Sequence, residues 1–259
     1  MGIGKSEQQT QFDRDGYAVY DAVLDADLLA EASAHVDWLL ARNPDLRPEN
    51  LHLQLVKDDP FWVRLISDDR LLDIAEEYVG PNIALFASHY ISKPPGEGQP
   101  VLWHQDGSYW PLEPMEVVSL WLAVDDSTPE NGCMRVVPGT HDMELHEMQR
   151  ATDTPNVLSS QMDPDLVDED RAVDVDLKAG GVSVHHPNIV HGSNPNTSGQ
   201  RRCGLTIRYI PATTRITSET WPCAFLLRGQ AVRGVNKYLE RPRYVQGEHL
   251  PFRGCEEWA

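Results

Sequence analysis

Over the first eighty residues the apolar positions recur with helical spacing. Leu28, Leu29, Ala32, Val36, Leu39 and Leu40 fall on one face of a helix that Asp25 can cap, since its carboxylate can accept from first-turn amides. Asn43-Pro44 and Arg47-Pro48 end that helix. A second helix is predicted after Ser67, with Leu71, Leu72, Ala75 and Val79 inward and Gly80-Pro81 as its stop. Ahead of both, Tyr17–Tyr20 reads as a short strand. From about residue 82 the texture changes to short strands between Pro, Gly and Asn turns: Ile83–Ser92, Val117–Val124, Cys133–Val137, Gly181–His185 and Cys203–Ile210. No helical period intervenes, which argues for antiparallel pairing in a barrel or jelly roll rather than for βαβ units. The acid-rich stretch Met162–Asp176 reads as a solvated loop.

The last of those strands has two unlike faces. Cys203, Leu205, Ile207 and Tyr209 alternate with Arg202, Gly204, Thr206 and Arg208. A barrel with an occupied polar interior needs such a strand, although an ordinary half-exposed strand shows the same alternation.

Length, charge and cysteines narrow the class. At 259 residues and 41% hydrophobic, the chain suits one compact domain with helical additions. Net charge is −18, of which residues 201–259 contribute +5 (ten Lys/Arg against five Asp/Glu), leaving −23 for the rest. So acidic a chain repels phosphate backbones and is a poor nucleic-acid partner. The basic C-terminal part suits a small anionic ligand, or is ordinary surface arginine. No apolar run is long enough to span a bilayer and no charged-then-apolar leader is visible. The four cysteines, Cys133, Cys203, Cys223 and Cys255, form no CxxC pair. A reduced, cytoplasmic protein is the expectation. Two motifs at the start are decoys. Gly2-Ile3-Gly4-Lys5-Ser6 ends like a phosphate loop without a preceding strand, and Met1-Gly2 with Ser6 matches the short myristoylation pattern.

The chemistry lies in Trp103-His104-Gln105-Asp106-Gly107. In an extended chain His104 and Asp106 project to the same side, and imidazole plus carboxylate suits Fe(II). A third donor would complete a facial triad with three open positions. His191, 87 residues on in Pro187-Asn188-Ile189-Val190-His191-Gly192-Ser193, is the candidate. An isolated HxD is common by chance; Arg202, eleven residues past His191, makes the pattern specific. Oxygenases of this type chelate iron with one end of 2-oxoglutarate, and the remote carboxylate then needs a buried cation. A guanidinium offers that carboxylate a fork-shaped, charge-assisted partner.

Together with Ile91-Ser92-Lys93-Pro94-Pro95 and Asn131-Gly132-Cys133-Met134-Arg135-Val136-Val137-Pro138-Gly139-Thr140-His141, these motifs resemble the phytanoyl-CoA dioxygenase family over about residues 11–210. The resemblance implies a mainly β fold with flanking helices around a double-stranded β-helix, the cupin-like jelly roll. Length and texture suggest a single domain over 1–259 with a helical part (1–81), the jelly-roll core (82–210) and a C-terminal lid (211–259). The resemblance also implies Fe(II) on His104, Asp106 and His191, 2-oxoglutarate as cosubstrate and O2 as oxidant. By motif position Arg202 and Ser193 would hold the remote end of 2-oxoglutarate, with Trp121 and His89 also against it. No catalytic residue beyond the metal centre is implied.

Other residues carry weaker expectations. Tyr109 and Trp110, in the loop after the HxD, and Arg208, on the same face as Arg202, are candidates to touch substrate. His186, His185 and His141 read as structural or surface residues, and Lys93 as a solvated ammonium at a strand end. Trp221, Phe225, Leu226, Arg228, Arg233 and Tyr238 would furnish a lid, a mixture that hints at a small-molecule substrate with an apolar body and an anionic group. The expected reaction is hydroxylation of an unactivated C–H bond, because Asp106 fills the position that related halogenases leave open for chloride. The same centre can also drive desaturation, ring closure or epimerisation. A non-oxidative cupin-like metal protein is the competing class, though it would have no need of Arg202.

Overall fold

The computed structural model describes residues 4–52, 54–222 and 224–259. Most of the Gly2–Ser6 motif lies within them. Met1-Gly2, Ile3 and Cys223 lie outside, and with them the myristoylation pattern. Ser6 serves the fold, since its hydroxyl accepts from the Gln9 amide and opens helix α1 (Glu7–Asp15), which ends at Gly16 with φ of 81°. Helix α2 (Ala26–Arg42) starts at Asp25, whose carboxylate accepts from the Leu28 amide, and it buries Leu28, Ala32, Val36 and Leu39 as its apolar stripe requires. Helix α3 (Pro60–Ile66) is capped by Asp59, and α4 (Asp69–Val79) by Asp68.

Ten strands build the core. They are β1 (Tyr17–Tyr20), β2 (Ile83–Lys93), β3 (Val101–His104), β4 (Val118–Ala123) and β5 (Met134–Val136). They continue with β6 (Val173–Val175), β7 (Val182–His185), β8 (His191–Ser193), β9 (Arg202–Pro211) and β10 (Phe225–Arg228). The larger sheet runs β1-β7-β4-β9-β2-β10 and the smaller β3-β8-β5-β6, antiparallel throughout. This is the expected jelly roll, with four α-helices outside it among the described residues.

Strand β9 shows how the sheets divide their faces. Cys203, Leu205, Ile207 and Tyr209 join the main core with Leu120, Leu122 and Val184 and with Leu28, Val36 and Trp62 from the helices. The opposite row, Arg202, Thr206 and Arg208, lines a cavity between the two sheets. Every residue of β9 but Pro211 is buried, so the half-exposed explanation of its alternation is excluded. Register carries the arrangement further: Thr206 sits opposite both His89 and Trp121, which puts those side chains on the same inner face.

Two expectations change. Met162–Asp176 is not simply a solvated loop: Met162 and Val175 are buried, and β6 pairs with β5. The C-terminal part is more than a lid, since β10 extends the larger sheet and Arg228 ion-pairs with Asp69, Asp73 and Glu76 of α4. Trp221 is stacked on Phe86 at 4.3 Å. Among the described residues no helix is long and apolar enough to cross a membrane.

Candidate metal centre

Strand pairing assembles the triad. His191 of β8 lies directly opposite His104 of β3, and their rings are 4.1 Å apart. Gln105 keeps the chain extended (φ −115°, ψ 122°), and the 3₁₀ turn that follows begins with Asp106, so His104 and Asp106 stay on one side. All three residues are buried, and each offers a ligand atom within 4.8 Å of the other two. The Nδ1 atoms of His104 and His191 face the carbonyls of Leu102 (2.8 Å) and Ile189 (3.0 Å). Donation to these carbonyls puts the proton on Nδ1 and leaves both Nε2 lone pairs free. Burial, followed by the neighbouring His104, holds the His191 imidazole well below its ordinary pKa, in the neutral form that binds metals. Burial alone would raise the Asp106 carboxyl, but Arg208, His104 and His185 together hold it well below the usual carboxylate range. Two imidazoles and a carboxylate on one side of a cavity are a donor set that fits Fe(II). His104, Asp106 and His191 form a metal site.

Further into the same cavity lies a second feature. The Arg202 guanidinium is 2% exposed and donates to the Gly132 carbonyl from Nε (3.0 Å) and Nη2 (2.7 Å), with the Trp121 ring 5.2 Å away. No carboxylate among the described residues comes within ion-pair distance of it. Burial brings its pKa down to about 10, so it stays a cation at neutral pH. Ser193 is beside it, its hydroxyl 2.7 Å from Lys93 Nζ. Lys93 corrects the expectation of a solvated ammonium. It is fully buried, donates also to the Asn194 carbonyl, and burial next to Arg202 lowers its pKa to about 6. A strand end can lie inside the molecule when the facing sheet covers it.

The remaining candidates separate. Trp121 and His89 both line the cavity. His89 is nevertheless engaged with Arg208, whose Nη1 lies 2.9 Å from its Nδ1; burial and that guanidinium keep the imidazole neutral. Arg208 also reaches the outer oxygen of Asp106 (Nη2 to Oδ2, 3.3 Å) and packs over Trp110 at 5.5 Å. Tyr109 leans on His104 from outside, bonded to Ser160 and 41% exposed; neither Tyr109 nor Trp110 is among the residues that line the cavity. His186 accepts from the Asn188 amide and packs on Phe12 and His141, away from the metal site, as a structural residue does. His185 is not the surface residue that one of its two readings allowed. It is 2% exposed, lines the cavity, and puts Nε2 3.6 Å from Asp106 Oδ2. The signal was in the strand: Ser183 and His185 alternate against Val182 and Val184, and only the valines join the main core.

A cupin-like jelly roll whose inner cavity gathers the His104–Asp106–His191 triad and a buried arginine has the makings of a metal-binding barrel. A profile of the phytanoyl-CoA dioxygenase (PhyH) family matches residues 12–204, and the chain belongs to that family. It is 30% identical over 179 residues to a probable alpha-ketoglutarate-dependent hypophosphite dioxygenase of Stutzerimonas stutzeri, a match covering 68% of this chain and 58% of the relative. With ectoine dioxygenase of Sphingopyxis alaskensis it shares 26% over 237 residues, covering 82% and 77%. The match to the Arabidopsis thaliana phytanoyl-CoA dioxygenase spans 53% of that protein's length. The fold is similar to that of the apo non-heme monooxygenase ThoJ, with a TM-score of 0.78 and 24% identity over 97% of this chain and 92% of the other.

Proposed function

We propose that the chain is an Fe(II)- and 2-oxoglutarate-dependent dioxygenase that hydroxylates an unactivated C–H bond of a small metabolite or natural-product intermediate. One observation carries this reading: Arg202, a buried cation held only by carbonyls, shares a cavity with the His104–Asp106–His191 triad. An isolated buried charge is costly, and the remote carboxylate of 2-oxoglutarate is the partner that would offset it. A non-oxidative metal protein has no use for that arginine.

When bound, the iron and 2-oxoglutarate together reduce O2 and supply the oxidant, with succinate and CO2 as by-products. The residues of the chain bind and orient. His104 and His191 present Nε2, because their Nδ1 protons are committed to backbone carbonyls. Asp106 supplies Oδ1, the oxygen facing His104 at 3.5 Å, while Arg208 holds Oδ2. Arg202 and Ser193 would take the remote carboxylate, and the Trp121 indole over Arg202 keeps water from competing with it. Asp106 fills the ligand position a halide would need, which favours hydroxylation. The cavity is narrow, about 60 Å³ in volume, which favours a small substrate over a bulky one. Relatives named for hypophosphite, ectoine and L-proline support a small substrate too.

The test is succinate formation from 2-oxoglutarate with Fe(II) and O2, followed by NMR. The intact protein should form succinate and Asp106→Ala should not; full activity in the variant would remove the triad from the account. A product gaining one oxygen atom supports hydroxylation, loss of two hydrogen atoms points to desaturation or oxidative ring closure, and an unchanged mass with inverted stereochemistry points to epimerisation.

A further inference from the structure

Two side chains in the cavity wall carry polar atoms with no partner among the described residues. Arg208 donates from Nη1 to His89 and Thr206 and from Nη2 to Asp106, yet its Nε makes no hydrogen bond. His185 is bonded at neither ring nitrogen, and its 3.6 Å approach to Asp106 Oδ2 is too long to count as a hydrogen bond. Both residues are more than nine-tenths buried, both line the cavity, and both converge on the same carboxylate oxygen. A neutral imidazole carries one N–H and one lone pair. With Nε2 turned toward a carboxylate oxygen, the proton belongs on Nε2, and Nδ1 is left as an unpaired acceptor.

Support of Asp106 does not explain His185. Arg208 already holds that oxygen, closer and with a permanent charge. Packing does not explain it either, because an apolar side chain would fill the place without stranding a polar atom. Charge points the same way. The cavity lining holds two guanidiniums, Arg202 and Arg208, and one carboxylate, Asp106, so 2 − 1 leaves +1. The Fe(II) dication and the dianionic cosubstrate offset each other, and the excess of one positive charge persists.

We infer that Arg208 and His185 form the substrate-recognition pair of this cavity, and that the substrate is a small monoanion with an O–H or N–H donor beside its anionic group. The anionic oxygen takes the Arg208 Nε proton and the donor bonds His185 Nδ1. The inference rests on the proposed iron and 2-oxoglutarate chemistry and adds the substrate class to it.

The test is equilibrium binding, read without turnover. The protein is loaded with Fe(II) and 2-oxoglutarate under anaerobic conditions, and the visible metal-to-ligand band is followed as probes are added. The probes are glycolate, L-lactate and 3-hydroxybutyrate, each beside its O-methyl ether, which lacks the donor, and its amide, which lacks the charge. Binding is expected among the parent acids, with a loss of about tenfold or more on methylation or amidation and in His185→Leu, partly recovered in His185→Gln. Binding by none of the parent acids, equal binding of the methylated or amidated forms, or unchanged binding in His185→Leu would overturn it. Absence of the band before any probe is added would instead overturn the underlying iron and 2-oxoglutarate reading.

Discussion

Gly204 is the position where a single methyl group should disturb both stability and the cosubstrate end of the cavity. It lies in β9 between Ala123 and Ile91 of the neighbouring strands, and the Trp121 indole crosses directly over it. A Cβ built there would stand 1.9, 2.2 and 2.5 Å from three atoms of that indole. The ring has little room to retreat, because Trp121 is 4% exposed and packs against Met134 and Val136, with the Arg202 guanidinium 5.2 Å away. Overpacking of this kind costs about 1–3 kcal/mol. For a domain of this size that corresponds to a fall in Tm of roughly 2–12 °C. A displaced indole also loses its cation–π contact with Arg202, worth about 0.5–2 kcal/mol, so affinity for 2-oxoglutarate should drop about 2- to 30-fold. Thermal unfolding and an anaerobic 2-oxoglutarate titration measure the two effects. Gly199→Ala is the control, since its added methyl meets nothing within 4 Å. If Gly204→Ala matched Gly199→Ala in both measurements, the packing of Trp121 over β9 would not position Arg202.

Other consequences follow from buried polar groups. Lys93 has its pKa lowered to about 6 from 10.5, so between those values the unfolded chain binds a proton that the folded chain does not. Stability from this residue therefore rises with pH across that window. Urea unfolding of wild type and Lys93→Met at about pH 7 and about pH 9.5 should show wild type gaining on the variant, and a constant gap would refute the burial of a neutral lysine. His35 joins Asp59 (2.9 Å) to the Tyr90 hydroxyl (3.1 Å) inside the helical layer. His35→Phe strands both partners and should destabilise by about 1–3 kcal/mol, measured by urea unfolding; a neutral result would show that neither partner depends on the histidine. Arg202→Lys keeps the charge but loses the planar fork and should weaken 2-oxoglutarate binding by about tenfold or more in the anaerobic titration, whereas unchanged binding would mean a point charge suffices.

The elements that were readable in the sequence are those with a local signal. Helix α2 has a capping carboxylate at Asp25 and an apolar stripe, and β9 has two chemically distinct rows. Helix α1 buries no residue, so it leaves no hydrophobic period; its mark is the Ser6 and Gln9 capping pair. Helix α3 is seven residues long with all but Arg64 buried, too short and too uniformly apolar to show a period. Strands β3 and β8 have four and three residues, and it is their pairing that defines them. The triad could therefore be named from its residue types while the register that joins His104 to His191 could not. Lys93 was misread and His185 left between two readings for one reason: whether a polar side chain is buried depends on what faces it, and the hydroxyl that Lys93 meets belongs to a residue 100 positions away.

Binding of 2-oxoglutarate to the anaerobic Fe(II) protein tests the central claim most directly, because it needs the triad and Arg202 together. The visible band should appear in the intact protein only when both iron and 2-oxoglutarate are present. It should be absent in Asp106→Ala and require far more 2-oxoglutarate in Arg202→Leu. A band that forms equally well in Arg202→Leu, or no band in the intact protein, would contradict the account.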